Sequence, residues 1–169
     1  MERLKERIIR ETQVLSDQVL TLDSILNQQV DPGLIMDIGK TFADLYREEG
    51  ITKVLTIESS GISIAFATAY QLGVPLVFAR RKKTLISDPD AYVERVPSFT
   101  KGIVSDMIVS RQFLSDSDRI LLIDDIIANG DAARGLIRII ERSGAQLAGV
   151  GIAVEKSFQA GARTIREQG

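Results

Sequence analysis

The stretch that most limits what this chain can fold into is residues 119–135, RILLIDDIIANGDAARG. An apolar run with β-branched members, Ile120 to Ile123, meets two adjacent carboxylates, Asp124 and Asp125. A short polar turn around Gly130 follows, and then a helical pattern. The run is short and unalternated, as expected of a strand buried on both faces of a parallel sheet. Strand, tight loop and helix in that order put the loop at the strand's carboxyl end, where open α/β sheets bind ligands.

The chemistry of the loop narrows the ligand. Ala128, Asn129, Gly130, Asp131 and Ala132 can aim several unpaired backbone N–H groups at one point, at the positive end of the following helix. That seats a phosphate dianion without a lysine. Ionised Asp124 and Asp125 only accept hydrogen bonds, so they suit two neighbouring hydroxyls. Phosphate and vicinal diol together describe a ribose 5-phosphate. The plainer alternative is an ordinary strand-to-helix turn with two solvated aspartates.

Around this centre the pattern alternates. Asp31-Pro32 starts a helix whose apolar face carries Leu34, Ile35, Ile38, Phe42 and Leu45 and whose stop is Gly50. KVLTI (53–57) is a first core strand, a small-residue helix runs to Gly73, and PLVFAR (75–80) is a second strand, a right-handed βαβ unit. Helix 131–143 and strand 147–154 continue the series, and residues 160–169 end it as a helix. Residues 2–13 form an amphipathic helix with Leu4, Ile8 and Ile9 on its apolar side. Residues 14–30 read as short extended pieces. The fold class is therefore α/β, an open, mostly parallel twisted sheet flanked by helices, in one domain over 1–169. Residues 81–112 interrupt the core strands with two hairpin arms and are expected to be a flexible flap over the site rather than a structural hairpin.

Composition removes other classes of chemistry. The chain has 169 residues, no cysteine and no histidine, which excludes disulfides, a Cys/His zinc site and Ser-His or Cys-His catalysis. A net charge of −2 gives no sign of a polyanion-binding surface. The charged amino terminus is no signal peptide, and no apolar run reaches bilayer length, so a cytoplasmic location is expected.

Further residues sit where strands end. Ser59, Ser60 and Gly61 precede a helix and can receive a second phosphate, although small residues there are also ordinary capping. Arg80 ends the second strand and suits phosphate oxygens, whereas Arg81, Lys82 and Lys83 read as a solvated charge run. Lys156 ends the last strand, and Phe158 reads as core rather than a base-stacking ring.

The stretch IDDIIANG resembles the phosphoribosyl-diphosphate signature of type I phosphoribosyltransferases. LSDQVLTLDSILNQQVDP, TIESSGI, LGVPLVFAR and EKSFQ occur around it in the order and spacing of bacterial xanthine phosphoribosyltransferases, over essentially the whole chain. The resemblance implies phosphoribosyl transfer from phosphoribosyl diphosphate to N9 of xanthine, with Asp124 and Asp125 catalytic. Ala128 through Ala132 would take the 5-phosphate, and Ser59, Ser60, Gly61 and Arg80 the pyrophosphate. It assigns Leu20, Asn27 and Lys156 to the xanthine and makes residues 1–30 a small amino-terminal hood. Mg²⁺ is expected to arrive on substrate oxygens rather than in a protein cage, and a homodimer is implied. Nucleic acid and membranes are not expected partners. The competing expectations are a non-enzymatic phosphoribosyl-diphosphate sensor on the same fold, or an enzyme for another base such as guanine or hypoxanthine. Two features depart from the family pattern. Asp131 places an acid in the phosphate loop, and the sequence stops at Gly169, before the strand and carboxyl-terminal segment that family members usually carry.

Overall fold

A computed structural model describes residues 1–11, 14–16, 19–20, 25–26, 28–82, 90–98 and 103–167, without the side chains of 14–16, 19–20, 82, 98 and 103. Helix α1 (Glu2–Glu11) leads into a two-stranded antiparallel ribbon, β1 (Val14–Ser16) and β2 (Val19–Leu20). Then follow α2 (Pro32–Tyr46), β3 (Lys53–Ile57), α3 (Gly61–Leu72), β4 (Leu76–Lys82), β5 (Ala91–Ser98) and β6 (Ile103–Ser110). The chain closes with β7 (Arg119–Ile127), α4 (Asp131–Ser143), β8 (Gln146–Glu155) and α5 (Gly161–Arg166).

The main sheet has six strands in the order β5-β6-β4-β3-β7-β8. β4, β3, β7 and β8 run parallel, and the β5–β6 hairpin joins antiparallel through β6 on β4. Side chains alternate across the pleat as a period of two requires. Val54, Leu121 and Ile123 face a core built with Leu34, Ile35 and Ile38 of α2 and Ile64, Ala65 and Ala67 of α3. Leu55, Ile57, Ile120 and Leu122 face the other way, onto Leu136, Ile139 and Ile140 of α4. Helices on both faces explain why β7 is apolar without alternation from Ile120 to Ile123, before it reaches Asp124 and Asp125.

Local signals act as their chemistry dictates. The Asp31 carboxylate accepts from the Leu34 N–H at 3.0 Å with Pro32 at the first helical position. α3 and α4 stop at Gly73 and Gly144, both left-handed. Ile25 and Leu26 are buried in the α2–α3 core, which ties the amino-terminal segment to the domain.

Three expectations need correction. Leu45 is 69% exposed and Ile9 84%, because the buried faces of α2 and α1 pass through Gly39 and Ala43 and through Leu4 instead. Most of the segment 81–112 is not a flap but sheet. β5 and β6 pair over their full length, and Tyr92, Val96, Met107 and Val109 are buried against α4's side of the core. A hairpin that buries four large side chains is structural; residues 83–89 and 99–102 lie outside the described residues.

Candidate active site

β3 and β7 lie side by side and end at the same edge, so the turns that follow them, 58–61 and 128–131, share it. β4 brings Arg80 and Arg81 there from one side, and β8 brings Glu155 and Lys156 from the other. A cleft of about 210 Å³ is lined by Arg81, Asp124, residues 126–133, Ile152, and Val96 and Pro97 of β5.

Asp124 and Asp125 are both 7% exposed. Burial, and then the neighbouring Asp125 carboxylate, push the Asp124 carboxyl well above the usual carboxylate range. The Asp125 N–H donates to its Oδ1 at 3.0 Å, and the Arg81 charge gives only weak relief. The protein holds a second buried acid that makes the contrast plain. Asp118, at the opposite end of β7, would also be raised by burial, but donors from Lys53, Ser115 and Thr52 hold it below the usual range. Asp118 is a satisfied structural acid, whereas Asp124 has acceptor capacity facing a cleft. An acid left in that condition is a functional-site signal.

Gly61 is pressed against the same carboxylate. A Cβ there would stand 2.6 Å from Asp124 Oδ1 and 2.7 Å from Thr56 Oγ1. The Thr56 hydroxyl is fully buried and has no hydrogen-bond partner among the described residues, and it meets Gly61 together with Asp124. Ser60 stands at the N-cap position of α3, so Ser59, Ser60 and Gly61 form the turn between β3 and α3.

The 128–131 loop turns on Gly130, whose φ of +80° places it in the region open to glycine. The loop rests on α5, where Gly161 donates its N–H to the Ala128 carbonyl at 3.0 Å. Asp131 begins α4 and accepts from Arg134 at 2.5 Å. Its carboxylate is therefore held by a cation one turn along and is not left alone at the cleft.

Among the described basic residues, the side chain that lines the cleft is that of Arg81. Neighbours on a strand point to opposite faces. Arg80 stacks on Phe78 at 4.6 Å and bonds Glu58 at 3.2 Å, outside the cleft lining. The order of the two arginines is legible in the strand period, but the register was not. Lys156 follows β8, its N–H donating to the Ile127 carbonyl at 3.0 Å, which fixes it beside the end of β7. Phe158 is 60% exposed on the 156–160 turn and is not core; a short turn at a sheet edge has no layer above it to bury a ring. The Leu20 backbone lies in β2; its side chain and all of Asn27 lie outside the described residues.

The phosphoribosyl transferase domain family matches residues 25–165, most of the chain and the whole of this edge. The chain belongs to the phosphoribosyltransferase family. It is 49% identical over all 169 residues to the xanthine phosphoribosyltransferases of Bacillus thuringiensis (strain Al Hakam) and Bacillus cereus (strain AH187), covering 86% of each. Among solved structures, the adenine phosphoribosyltransferase of Rhodothermus marinus superposes with a TM-score of 0.77 at 24% identity, over 97% of this chain and 93% of that one. That of Thermoanaerobacter pseudethanolicus gives 0.77 at 16% identity, over 95% and 92%. These two show the shared fold, the type I phosphoribosyltransferase arrangement of a mostly parallel sheet between helices. In this phosphoribosyltransferase the residues that sequence reasoning passed over are Arg81, Arg134, Thr56 and Gly161. Only Asp131 followed three residues later by Arg134 left a trace in the sequence, as a helical acid–base pair.

Proposed function

We propose that this phosphoribosyltransferase carries the 5-phosphoribosyl group from phosphoribosyl diphosphate to N9 of xanthine, giving xanthosine 5′-monophosphate and pyrophosphate in purine salvage. The observation that carries the reading is the pair of buried carboxylates at the β7 end, directly before a glycine turn at a helix N-terminus. The 49% identity over the whole chain to relatives named xanthine phosphoribosyltransferases supports the choice of base.

Departure of pyrophosphate leaves positive charge on the ribose ring, so the chain's task is placement and charge stabilisation. The N–H groups of Ala128 through Ala132 hold the 5-phosphate, and Asp124 and Asp125 take the ribose hydroxyls. Ionised Asp124 is costly in the free protein because burial and Asp125 oppose it. That cost is relieved when positive charge develops alongside, which makes the interaction stronger in the transition state than in the ground state. Ser59, Ser60 and Gly61 receive the pyrophosphate. Arg81 assists from the cleft wall.

The donor set fits a Mg²⁺ that arrives with its substrate. Among the described residues no cluster of three or more His, Cys, Asp or Glu forms a protein cage, while the carboxylate pair can meet a hydrated ion on substrate oxygens. When bound, the ion neutralises charge on the departing pyrophosphate. A homodimer and a cytoplasmic location are part of the same proposal. No described helix is long and apolar enough to cross a membrane.

The test is turnover with xanthine, guanine, hypoxanthine, adenine and uracil in the presence of Mg²⁺. Xanthine should be the best acceptor, and a clear preference for adenine or uracil overturns the assignment. Lys156→Ala should cost about 10-fold or more in kcat/KM for the 6-oxopurines, the loss of one charge-assisted hydrogen bond. Unchanged rates for all three 6-oxopurines would return Lys156 to a structural role.

A further inference from the structure

The acid in the phosphate loop calls for a physical account. A carboxylate at a helix N-terminus stabilises the helix, but it repels an incoming phosphate dianion. Asp131 lies on the wall of the cleft. Arg134 lies behind it, in the groove bounded by α4, β8 and α5. Its guanidinium makes three contacts that converge on the loop. It donates to Asp131 Oδ1 at 2.5 Å, to the Asn129 carbonyl at 2.9 Å and to Thr164 Oγ1 of α5 at 3.1 Å. Thr164 in turn donates to the Gly161 carbonyl at 2.8 Å, and Gly161 bonds Ala128. The Arg134 and Asp131 side chains are 26% and 17% exposed, so the pair is shielded from much of the screening that weakens surface ion pairs. The planar guanidinium divides these bonds between two nitrogens, Nη1 to Asn129 and Thr164 and Nη2 to Asp131, where a lysine offers a single nitrogen.

We propose that Arg134 is a positioning residue of the 5-phosphate loop, cancelling the Asp131 charge that would repel the phosphate and fastening the loop to α5. This rests on the reading of Ala128 through Ala132 as the phosphate seat. Arg134 does not touch the ligand in this arrangement. It acts by keeping Asp131 aside and the Asn129 carbonyl engaged, so the loop meets a dianion with its N–H groups and no net negative side chain.

The discriminating experiment is a double-mutant cycle of Arg134→Ala and Asp131→Asn, read by calorimetric titration with ribose 5-phosphate and, separately, pyrophosphate. Arg134→Ala should weaken ribose 5-phosphate binding about 10-fold or more, less at high salt, with pyrophosphate binding unchanged. Asp131→Asn added to Arg134→Ala should restore most of the lost affinity, because it removes the charge that Arg134 no longer cancels. A purely structural role for Arg134 would not yield that rescue. If Arg134→Ala fails to fold, Arg134→Gln, which keeps an amide donor without the charge, must show the same loss and the same rescue. Wild-type-like binding by the Arg134 variant, or no rescue in the double variant, overturns the proposal. Wild-type protein that binds pyrophosphate but not ribose 5-phosphate instead overturns the assignment of the loop, and the proposal with it.

Discussion

Asp124→Asn should lower turnover by about 100- to 1000-fold and raise thermal stability above pH 7 in the same protein. The first effect is the loss of a charge aimed at the developing ribose cation, for which removal of one preorganised group costs about 3–4 kcal/mol. The second follows from burial. The folded-state value of Asp124 lies above its unfolded value, so the native chain binds this proton more tightly than the unfolded chain does. Its favourable contribution is complete below the ordinary carboxylate range and is lost as pH rises through the raised folded value. Asparagine has nothing to lose there, and its carbonyl oxygen can still accept from the Asp125 N–H. The variant should therefore melt higher than wild type at pH 8, with each kcal/mol recovered worth about 2–4 °C in a domain of this size. The gap should close as pH falls and wild-type Asp124 takes up its proton. Differential scanning calorimetry at pH 5 and pH 8, beside steady-state kinetics, checks both halves. A variant that is inactive and also less stable at pH 8 would mean that Asp124 serves the fold as Asp118 does.

The second large effect is expected at Gly161, far in sequence from the signature stretch. A Cβ at this position would stand 2.3 Å from the Ala128 carbonyl oxygen, 2.5 Å from the Gly130 nitrogen and 2.7 Å from the Asn129 carbonyl carbon. All three are backbone atoms of the phosphate loop, so no flexible side chain can yield. Gly161→Ala must shift either the loop or α5, an overpacking cost of about 1–3 kcal/mol. α5 has six residues and belongs to a small satellite cluster with Ile127 and Ala133, so the main core should survive. The cost should appear as a KM for phosphoribosyl diphosphate raised about 10- to 100-fold, with the KM for xanthine changed far less. A folded Gly161→Ala protein with a wild-type KM for phosphoribosyl diphosphate would refute the bracing of the loop by α5.

What the sequence revealed and what it hid divide along physical lines. Strands β3, β4, β7 and β8, and the helices between them, were legible because period, glycine stops and the Asp31-Pro32 cap all act over a few residues. Asp124, Asp125 and the Gly130 turn were legible for the same reason. The hairpin at 91–110 was misread because a polar, alternating pair of arms looks the same whether it moves freely or adds to a sheet edge. Only the burial of Tyr92 and Met107 distinguishes the two. The register of β4 decides which of Arg80 and Arg81 lines the cleft, and Phe158 needed knowledge of what lies above its turn. Gly161 meets the loop, and Arg134 meets Thr164, across about thirty residues, and no local pattern announces either contact. Asp131 alone suggested either support or repulsion. Its partner Arg134 shows how one residue can give the first without the second.

The central claim is that a single sheet edge, at the ends of β3 and β7, takes phosphoribosyl diphosphate by its diol and its phosphates together. Calorimetric titration of folded protein with phosphoribosyl diphosphate in magnesium buffer tests it most directly. The account predicts saturable binding at one site per chain, weakened strongly when Asp124 and Asp125 are both changed to asparagine. No heat of binding from the folded wild-type protein, or binding indifferent to that double change, would contradict it.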